Sequence, residues 1–473
     1  MQKNAESSGH KKNLEAILHG PVFKTLAKLT LPIFTGMIFQ LLYAIVDMIW
    51  ISRIDLTDPS YVGGVGLIFP LLFLAVAFSS GMLIGVGSLV ARSIGEKNQD
   101  VLNRTAESGF FIAGSISIVI VVAGYLFDKE IIFFLGGRGD YYLHALEYFR
   151  YIIPAAALMI TGNVILGLLQ GEGLMEKVMV AMIISTIANV SLDPVFIFLM
   201  GLGVRGAGIA TVLSQIIAGF YLIRIFISKR TLVRIEWRFK NIDFGIMKMI
   251  VSVGFPQIAG QITMAAGYLF FNKIVIKIDP LALTAFSLCG RIDQVLIIPV
   301  LAIGSSLITM IGQNYGRRNY SRVIEIWRTG IITGAFVTSF LSALLILFAP
   351  GLFRFFTEVD TVARYAVRQI RIVELSFIVA SSAILGRASF QAMGFPLPGL
   401  LITALQLALV PIPMAYLYVY ALRLGILGVW LGIITGNLSA GILGIIWVRS
   451  KLRDLGRGNP QRISLSSKGC IIK

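Results

Sequence analysis

The sequence predicts an all-α membrane protein of twelve transmembrane helices arranged as two six-helix lobes. Composition, the length of the apolar runs and an internal repeat carry that prediction. Of 473 residues, 56% are hydrophobic and only 14% are charged, against roughly 25% charged in a soluble domain. One soluble core cannot hide that much apolar surface. The apolar residues also fall in long runs, such as those starting at Phe111 and Val295. About 18 or more apolar residues make a candidate membrane helix, because roughly 20 span a hydrocarbon core of about 30 Å.

Reading these runs in order places spans near 28–52, 62–91, 106–127, 142–168, 176–199 and 207–228 in the first half. The second half has spans near 246–277, 283–311, 327–349, 363–388, 396–420 and 425–448. The expected organisation is an N-terminal arm (1–27), a first lobe (28–228), a basic connector (229–245), a second lobe (246–449) and a basic tail (450–473). With twelve spans the Lys- and Arg-rich segments all fall on one side. They are the arm (Lys11, Lys12, Lys24), the loops after spans two and eight (Arg92, Lys97; Arg317, Arg318), the connector (Lys229, Arg230, Arg234, Arg238, Lys240) and the tail (Arg449, Lys451, Arg457). This bias puts both termini in the cytoplasm, with the chain in the cell's inner membrane. The stretch before Pro32 is amphipathic and is expected to lie along the membrane surface. The first 20 residues are polar, so no cleaved signal peptide is expected.

The same distribution explains the net charge of +17. It sits between apolar runs rather than on an aromatic-interleaved stripe, so it faces anionic lipid and not nucleic acid. Cys289 and Cys470 give no disulfide framework, and the terminal "CIIK" resembles a prenylation box only superficially. Three histidines (His10, His19, His144) without a metal-ligand spacing argue against a membrane hydrolase. The chain is not expected to be an enzyme, to carry a cofactor, or to oligomerise.

The halves repeat one another. Pro32 and Gly36 match Pro256 and Gly260, "GEKN" at Gly95 matches "GRRN" at Gly316, and "QGEG" at Gln170 matches "QAMG" at Gln391. "GLGVRG" at Gly201 matches "RLGILG" at Arg423. Each half has six spans, an even number, so both enter the membrane the same way round. That is the parallel type of repeat found in secondary transporters that work by alternating access.

Polar groups inside spans are costly in a bilayer and point to function. Asp47 lies in span one, and Asn189 and Asp193 share a face of span five, directly before Pro194. Asn163 lies in span four and Tyr148 near its outer end; Thr211 opens span six. The register pairs Asp47 with Phe271, Asn189 with Val410, Asp193 with Met414, Asn163 with Ile384 and Thr211 with Ile433. The second half therefore folds without these groups, which weighs against a purely structural role. Tyr148 and Thr211 also suit blander roles, an interfacial tyrosine and a back-bonded threonine. Arg291 and Asp293 are expected to neutralise each other or pair with neighbours, Arg371 and Glu374 to form a local pair, and Lys273 to snorkel.

"LPIFTGMIFQLLYAIVDMIWI", "GVGSLVARSIGEKN", "LLQGEG", "NVSLDPVFIF" and "GVRGAGIATVLSQ" resemble segments of the MATE (multidrug and toxin extrusion) family, in its prokaryotic DinF-like and MepA-like branches. The resemblance runs from about Leu14 to Lys451. It implies two six-helix lobes arranged in a V and export of amphipathic or cationic drugs in exchange for H+ or Na+. It further implies an ion site at Asp47, Asn189, Asp193 and Thr211, supported by Tyr148 and Asn163. The NorM-like branch has acids in its second lobe, and span seven here has none in its core. Two neighbouring carboxyls in an apolar bundle titrate as a coupled pair, while the same oxygens with the amide and hydroxyl suit a hard cation such as Na+. Pro32, about four turns before Asp47, is the expected hinge of span one. The main rival is a lipid-linked oligosaccharide flippase, whose cavity should be more cationic.

Overall fold

The computed structural model describes residues 13–55, 57–228, 231–234 and 242–456. Lys11, Lys12, Lys229, Arg230, Arg238, Lys240, Arg457 and Cys470 lie outside the described residues. Twelve described helices are long and apolar enough to cross a membrane. They are α1 (Val22–Ser52), α2 (Ser60–Glu96), α3 (Gln99–Leu126), α4 (Gly139–Gly171), α5 (Met175–Leu199) and α6 (Gly203–Ile227). The second half supplies α7 (Phe244–Ile278), α8 (Pro280–Gly316), α9 (Tyr320–Phe356), α10 (Asp360–Met393), α11 (Pro396–Ala421) and α12 (Ile426–Gly456). Several are longer than their apolar runs, because helices such as α9 and α12 continue through polar turns that hydropathy reads as loop.

Packing divides the chain into two compact units. Leu31–Gly254 form the body of unit 1; Phe255 onward, with Ala16–Thr30, form unit 2. Both divisions fall inside helices, just before Pro32 in α1 and just before Pro256 in α7. The segment before Pro32 forms a short helix over 13–19, a break at Gly20–Pro21, and the start of α1. Its apolar residues Ile17, Leu18, Val22 and Leu26 are buried. Asn314 donates to the Ile17 carbonyl at 3.2 Å, and Arg322 donates to that of Gly20. These apolar residues thus pack against protein within unit 2, while Phe23 of the same segment stays exposed.

Lipid offers apolar side chains no reason to leave it, so the helices are held together by close packing at small residues. In unit 1 a β-carbon on Gly167 of α4 would lie 2.7 Å from the Leu83 carbonyl oxygen of α2. One cluster there joins Val86 and Val90 of α2, Leu102 of α3 and Val164 of α4. In unit 2 Phe271 and Val275 of α7 pack with Phe286 of α8, Ala415 of α11 and Val429 of α12.

The repeat is written into the backbone. Lys97 and Arg318, at matching turns, both take left-handed conformations, with φ of 58° and 60°. The residue after each, Asn98 and Asn319, caps the following helix by accepting a backbone N–H. Gly173 matches Gly394 (φ 82° and 80°), and Gly203 matches Gly425 (φ 53° and 56°). Both α5 and α11 end in a π-helical turn, Val195–Leu199 and Leu417–Ala421. Pro194 precedes the first, but Tyr416 precedes the second, so the proline is not what makes this turn. α11 holds a further π turn at Leu405–Leu409, and α5 has no second one among its described residues. A π turn accommodates one extra residue. The register therefore moves by one within α11: Gly173 pairs with Gly394, but Gly206 with Gly428. Asn189 and Asp193 thus correspond to Pro411 and Ala415, not to Val410 and Met414.

Candidate functional site: a carboxyl cluster in the first half

Three helices of unit 1 bring most of the selected residues together. Asp47 of α1 and Asp193 of α5 lie within electrostatic range of each other. Asn189, one turn before Asp193, donates its amide N–H groups to Asp193 Oδ1 at 3.3 Å and to Thr211 Oγ1 of α6 at 3.4 Å. Asn189 and Asp193 are fully buried, and Thr211 is 4% exposed. Tyr148 of α4 is buried within electrostatic range of both carboxylates.

Tyr43 escaped the sequence reading. Its hydroxyl lies 3.4 Å from Thr211 Oγ1. The signal was present, since Tyr43 is one turn before Asp47 on the same face, and its partner in the repeat is Gly267.

The cluster has more acceptors than donors. Asp47 Oδ1, Asn189 Oδ1 and Asp193 Oδ2 are buried without a hydrogen-bond partner. Buried polar atoms are normally satisfied, and an orphaned set calls for an explanation. Three such oxygens beside two hydroxyls are an environment that a proton or a hard cation completes.

Asn163 is not part of this cluster. Its amide donates to the Met159 carbonyl of its own helix at 2.9 Å. It lines a cavity of about 270 Å³ in unit 1, together with Gln40, Thr161, Ser185 and Gln215. Gln40, Ser185 and Gln215 each lie about one turn along their own helix from Tyr43, Asn189 and Thr211 respectively, whereas the two carboxyls do not line the cavity. Pro32 is roughly 22 Å along α1 from Asp47, inside a helix that remains continuous.

Unit 2 holds a second acidic pair, of which Glu374 is buried and Asp293 half-buried. Asp293 of α8 lies within electrostatic range of Glu374 of α10, and Glu374 Oε2 is buried without a hydrogen-bond partner. Arg371 is exposed while Glu374 is buried, and no ion pair joins them among the described residues. Three-residue spacing places two side chains on neighbouring parts of a helix, but here the acid turns inward and the guanidinium outward. Buried acids are therefore not confined to the first half.

Comparison with known proteins fits this two-part architecture. The MatE family model matches residues 32–195 and again 256–417, one copy per half.

The chain belongs to the MATE family.

A probable multidrug resistance protein NorM of Thermotoga maritima is 24% identical over 90% of this chain and 92% of its own. The multidrug export protein MepA of Staphylococcus aureus is 22% identical, over 89% and 92% respectively. Among solved structures, an outward-facing multidrug resistance MATE family transporter of the MOP superfamily superposes with a TM-score of 0.88. It is 28% identical and covers 93% of this chain and 98% of its own. The MATE transporter ClbM in complex with Rb+ gives 0.85 at 30% identity, covering 94% and 99%. The chain is thus a multi-pass membrane protein of a family of transporters, not of enzymes.

Proposed function

We propose that the chain is a cation-coupled multidrug antiporter. It exports amphipathic organic cations across the inner membrane in exchange for H+ or Na+, and Asp47, Asn189, Asp193 and Thr211 carry the coupling. The observation that supports this most directly is the set of three orphaned oxygens on Asp47, Asn189 and Asp193. With both carboxylates charged the pair repels itself, and among the described residues no Lys or Arg offsets that charge. Binding a proton or Na+ removes the repulsion and satisfies the oxygens, so the loaded and empty states favour different packings of α1 against α5 and α6. A ligand moves such an equilibrium by its difference in affinity for the two states. Pro32 breaks the backbone ladder of α1 and lets the helix bend there. The unit 1 cavity, with its amide and hydroxyl lining, is the place for the drug. Drug and ion then compete through neighbouring groups on the same three helices. The capture of Rb+ by ClbM, a similar transporter, supports a monovalent cation as partner. The reading keeps both termini in the cytoplasm and a single chain as the working unit.

The test is efflux of a fluorescent cationic dye from everted vesicles, driven separately by a proton gradient and a sodium gradient. Asp47→Asn and Asp193→Asn should each abolish the ion-driven component. Normal ion-coupled efflux by both variants would overturn the assignment.

A further inference from the structure

The carboxyl cluster has a counterpart of opposite character in unit 2. Arg387 lies on α10, about 9 Å before the end of that helix at Met393. Its Nη1 donates to Thr403 Oγ1 of α11 at 3.3 Å. The Thr403 hydroxyl donates in turn to the Gly399 carbonyl at 2.9 Å. Two glycines make room for the side chain. A β-carbon on Gly260 of α7 would stand 3.5 Å from Arg387 Nη1, and one on Gly399 would stand 3.3 Å from Arg387 Cγ. No carboxylate forms an ion pair with Arg387 among the described residues. A guanidinium has five N–H donors, and one protein acceptor is assigned to it.

The repeat shows what this position is. By the register of Gln170 with Gln391, Arg387 replaces Leu166, and Thr403 replaces Met182. Gly260 replaces Gly36. The same triangle exists in unit 1, where a β-carbon on Gly36 would meet Met182 Sδ at 2.5 Å. Leu166 and Met182 both line the unit 1 cavity. The place that forms a neutral cavity wall in one half therefore carries a braced cation in the other. Simple snorkelling does not account for the arrangement. Snorkelling sends a guanidinium toward the aqueous interface. Here the head group meets Gly260, about 24 Å along α7 from Phe244, and Thr403, about 10 Å into α11.

We propose that Arg387, braced by Thr403, is the receptor of an anion-binding site in the second half. Its ligand is a singly charged oxyanion on an apolar body: the carboxylate of an amphipathic molecule or the phosphate of a lipid. A planar guanidinium receives either one bidentately. The apolar walls of α7, α10 and α11 take the hydrocarbon part.

The test uses the full-length protein purified in a neutral maltoside detergent. One arm titrates dansyl-undecanoate, an amphipathic carboxylate, and follows its fluorescence. The other measures retained phosphatidylglycerol by native mass spectrometry. Arg387→Gln should weaken one or both at least ten-fold, while Arg387→Lys keeps binding within about ten-fold by retaining the charge. Tetraphenylphosphonium binding should change less than two-fold in either variant. Loss in the carboxylate arm alone identifies a soluble amphiphile as the source, loss in the lipid arm alone identifies phospholipid, and loss in both identifies the shared oxyanion. Each of these supports the site. Wild-type protein that binds neither probe, or an Arg387→Gln variant that binds both unchanged, overturns it. Should Arg387→Gln not elute as a monodisperse species, Arg387→Met, which keeps the apolar stem, replaces it under the same criteria.

Discussion

The first half places its carboxyl pair where α1 meets α5, and the second places its pair where α8 meets α10. Neither pair has a counterpart across the repeat. Asp47 and Asp193 correspond to Phe271 and Ala415, and Asp293 and Glu374 correspond to Leu72 and Ile153. Other polar features are shared. Ser185 and Gln215 bond to each other at 3.4 Å, and the equivalent Gln406 and Asn437 do so at 3.4 Å. A feature kept by both halves belongs to the scaffold, whereas a buried acid kept by one must be explained by what that half does. The two pairs also differ in company. Asp47 and Asp193 sit with Asn189, Thr211 and Tyr43, three of which lie about one helical turn from residues that line a cavity. Near Asp293 stand Tyr268 and Cys289, with Ser342 bonded only to the backbone carbonyl of Glu374.

The largest expected effect is therefore on transport, and it should be unequal. Asp193→Asn preserves size and hydrogen bonding but removes the charge, and should lower ion-driven dye efflux at least a hundred-fold, about 2.7 kcal/mol. The double change Asp293→Asn with Glu374→Gln should lower it less than ten-fold. Equal losses in everted vesicles would erase the functional distinction between the halves and make the coupling a property of both.

How much of this was readable from the chain depends on the kind of information. Twelve spans and the duplication were legible because apolar length and the turn motifs around Gly95, Gln170 and Gly201 are local signals. Three of the six residues, Asp47, Asn189 and Asp193, were legible because a buried acid or amide is rare in a membrane helix, while the hydroxyls of Thr211 and Tyr148 carried a weaker signal. Asn163 was grouped with them on polarity alone, and only geometry shows it turned to its own helix and the cavity. Glu374 was misread for the opposite reason. Its nearest basic residue in sequence is Arg371, but the helix directs the two apart and pairs Glu374 with a residue on another helix. The π turn at Leu405–Leu409 was not legible, since one inserted residue leaves hydropathy unchanged while shifting the register beyond it.

That register yields a sharper stability comparison. Gly219 of α6 corresponds to Gly441 of α12. A β-carbon on Gly441 would lie 2.2 Å from the Val379 carbonyl oxygen of α10, whereas one on Gly219 meets nothing within 4 Å. Backbone cannot yield as a flexible side chain does, so Gly441→Ala should cost about 1–3 kcal/mol. Gly219→Ala should be neutral or stabilise by up to about 1 kcal/mol, through helix propensity. Thermal unfolding in detergent reads both. An equal response would mean that the α10–α12 contact relaxes freely and that the two halves are mechanically alike at this position.

The smallest effect separates the halves at Glu172, whose counterpart is Met393. Glu172 is buried and accepts the N–H groups of Leu232 and Val233, each at 3.0 Å, which fastens the connector between halves. Burial pushes its carboxyl from the ordinary 4.5 up to about 7, against the lowering effect of those two bonds. The folded chain consequently keeps this proton to higher pH than the unfolded chain does. The resulting stabilisation is complete below the unfolded value and is lost as pH rises through the folded one. Wild-type protein should lose roughly 1 kcal/mol between pH 6 and 7.5 from this group. Glu172→Gln, which cannot titrate, should flatten that part of the profile. If melting temperatures of the two proteins fall in parallel over this interval, the pH dependence comes from other groups. The connector would then be held independently of the charge on Glu172, by contacts such as Gln99 to the Leu232 carbonyl and Asn103 to the Arg234 N–H.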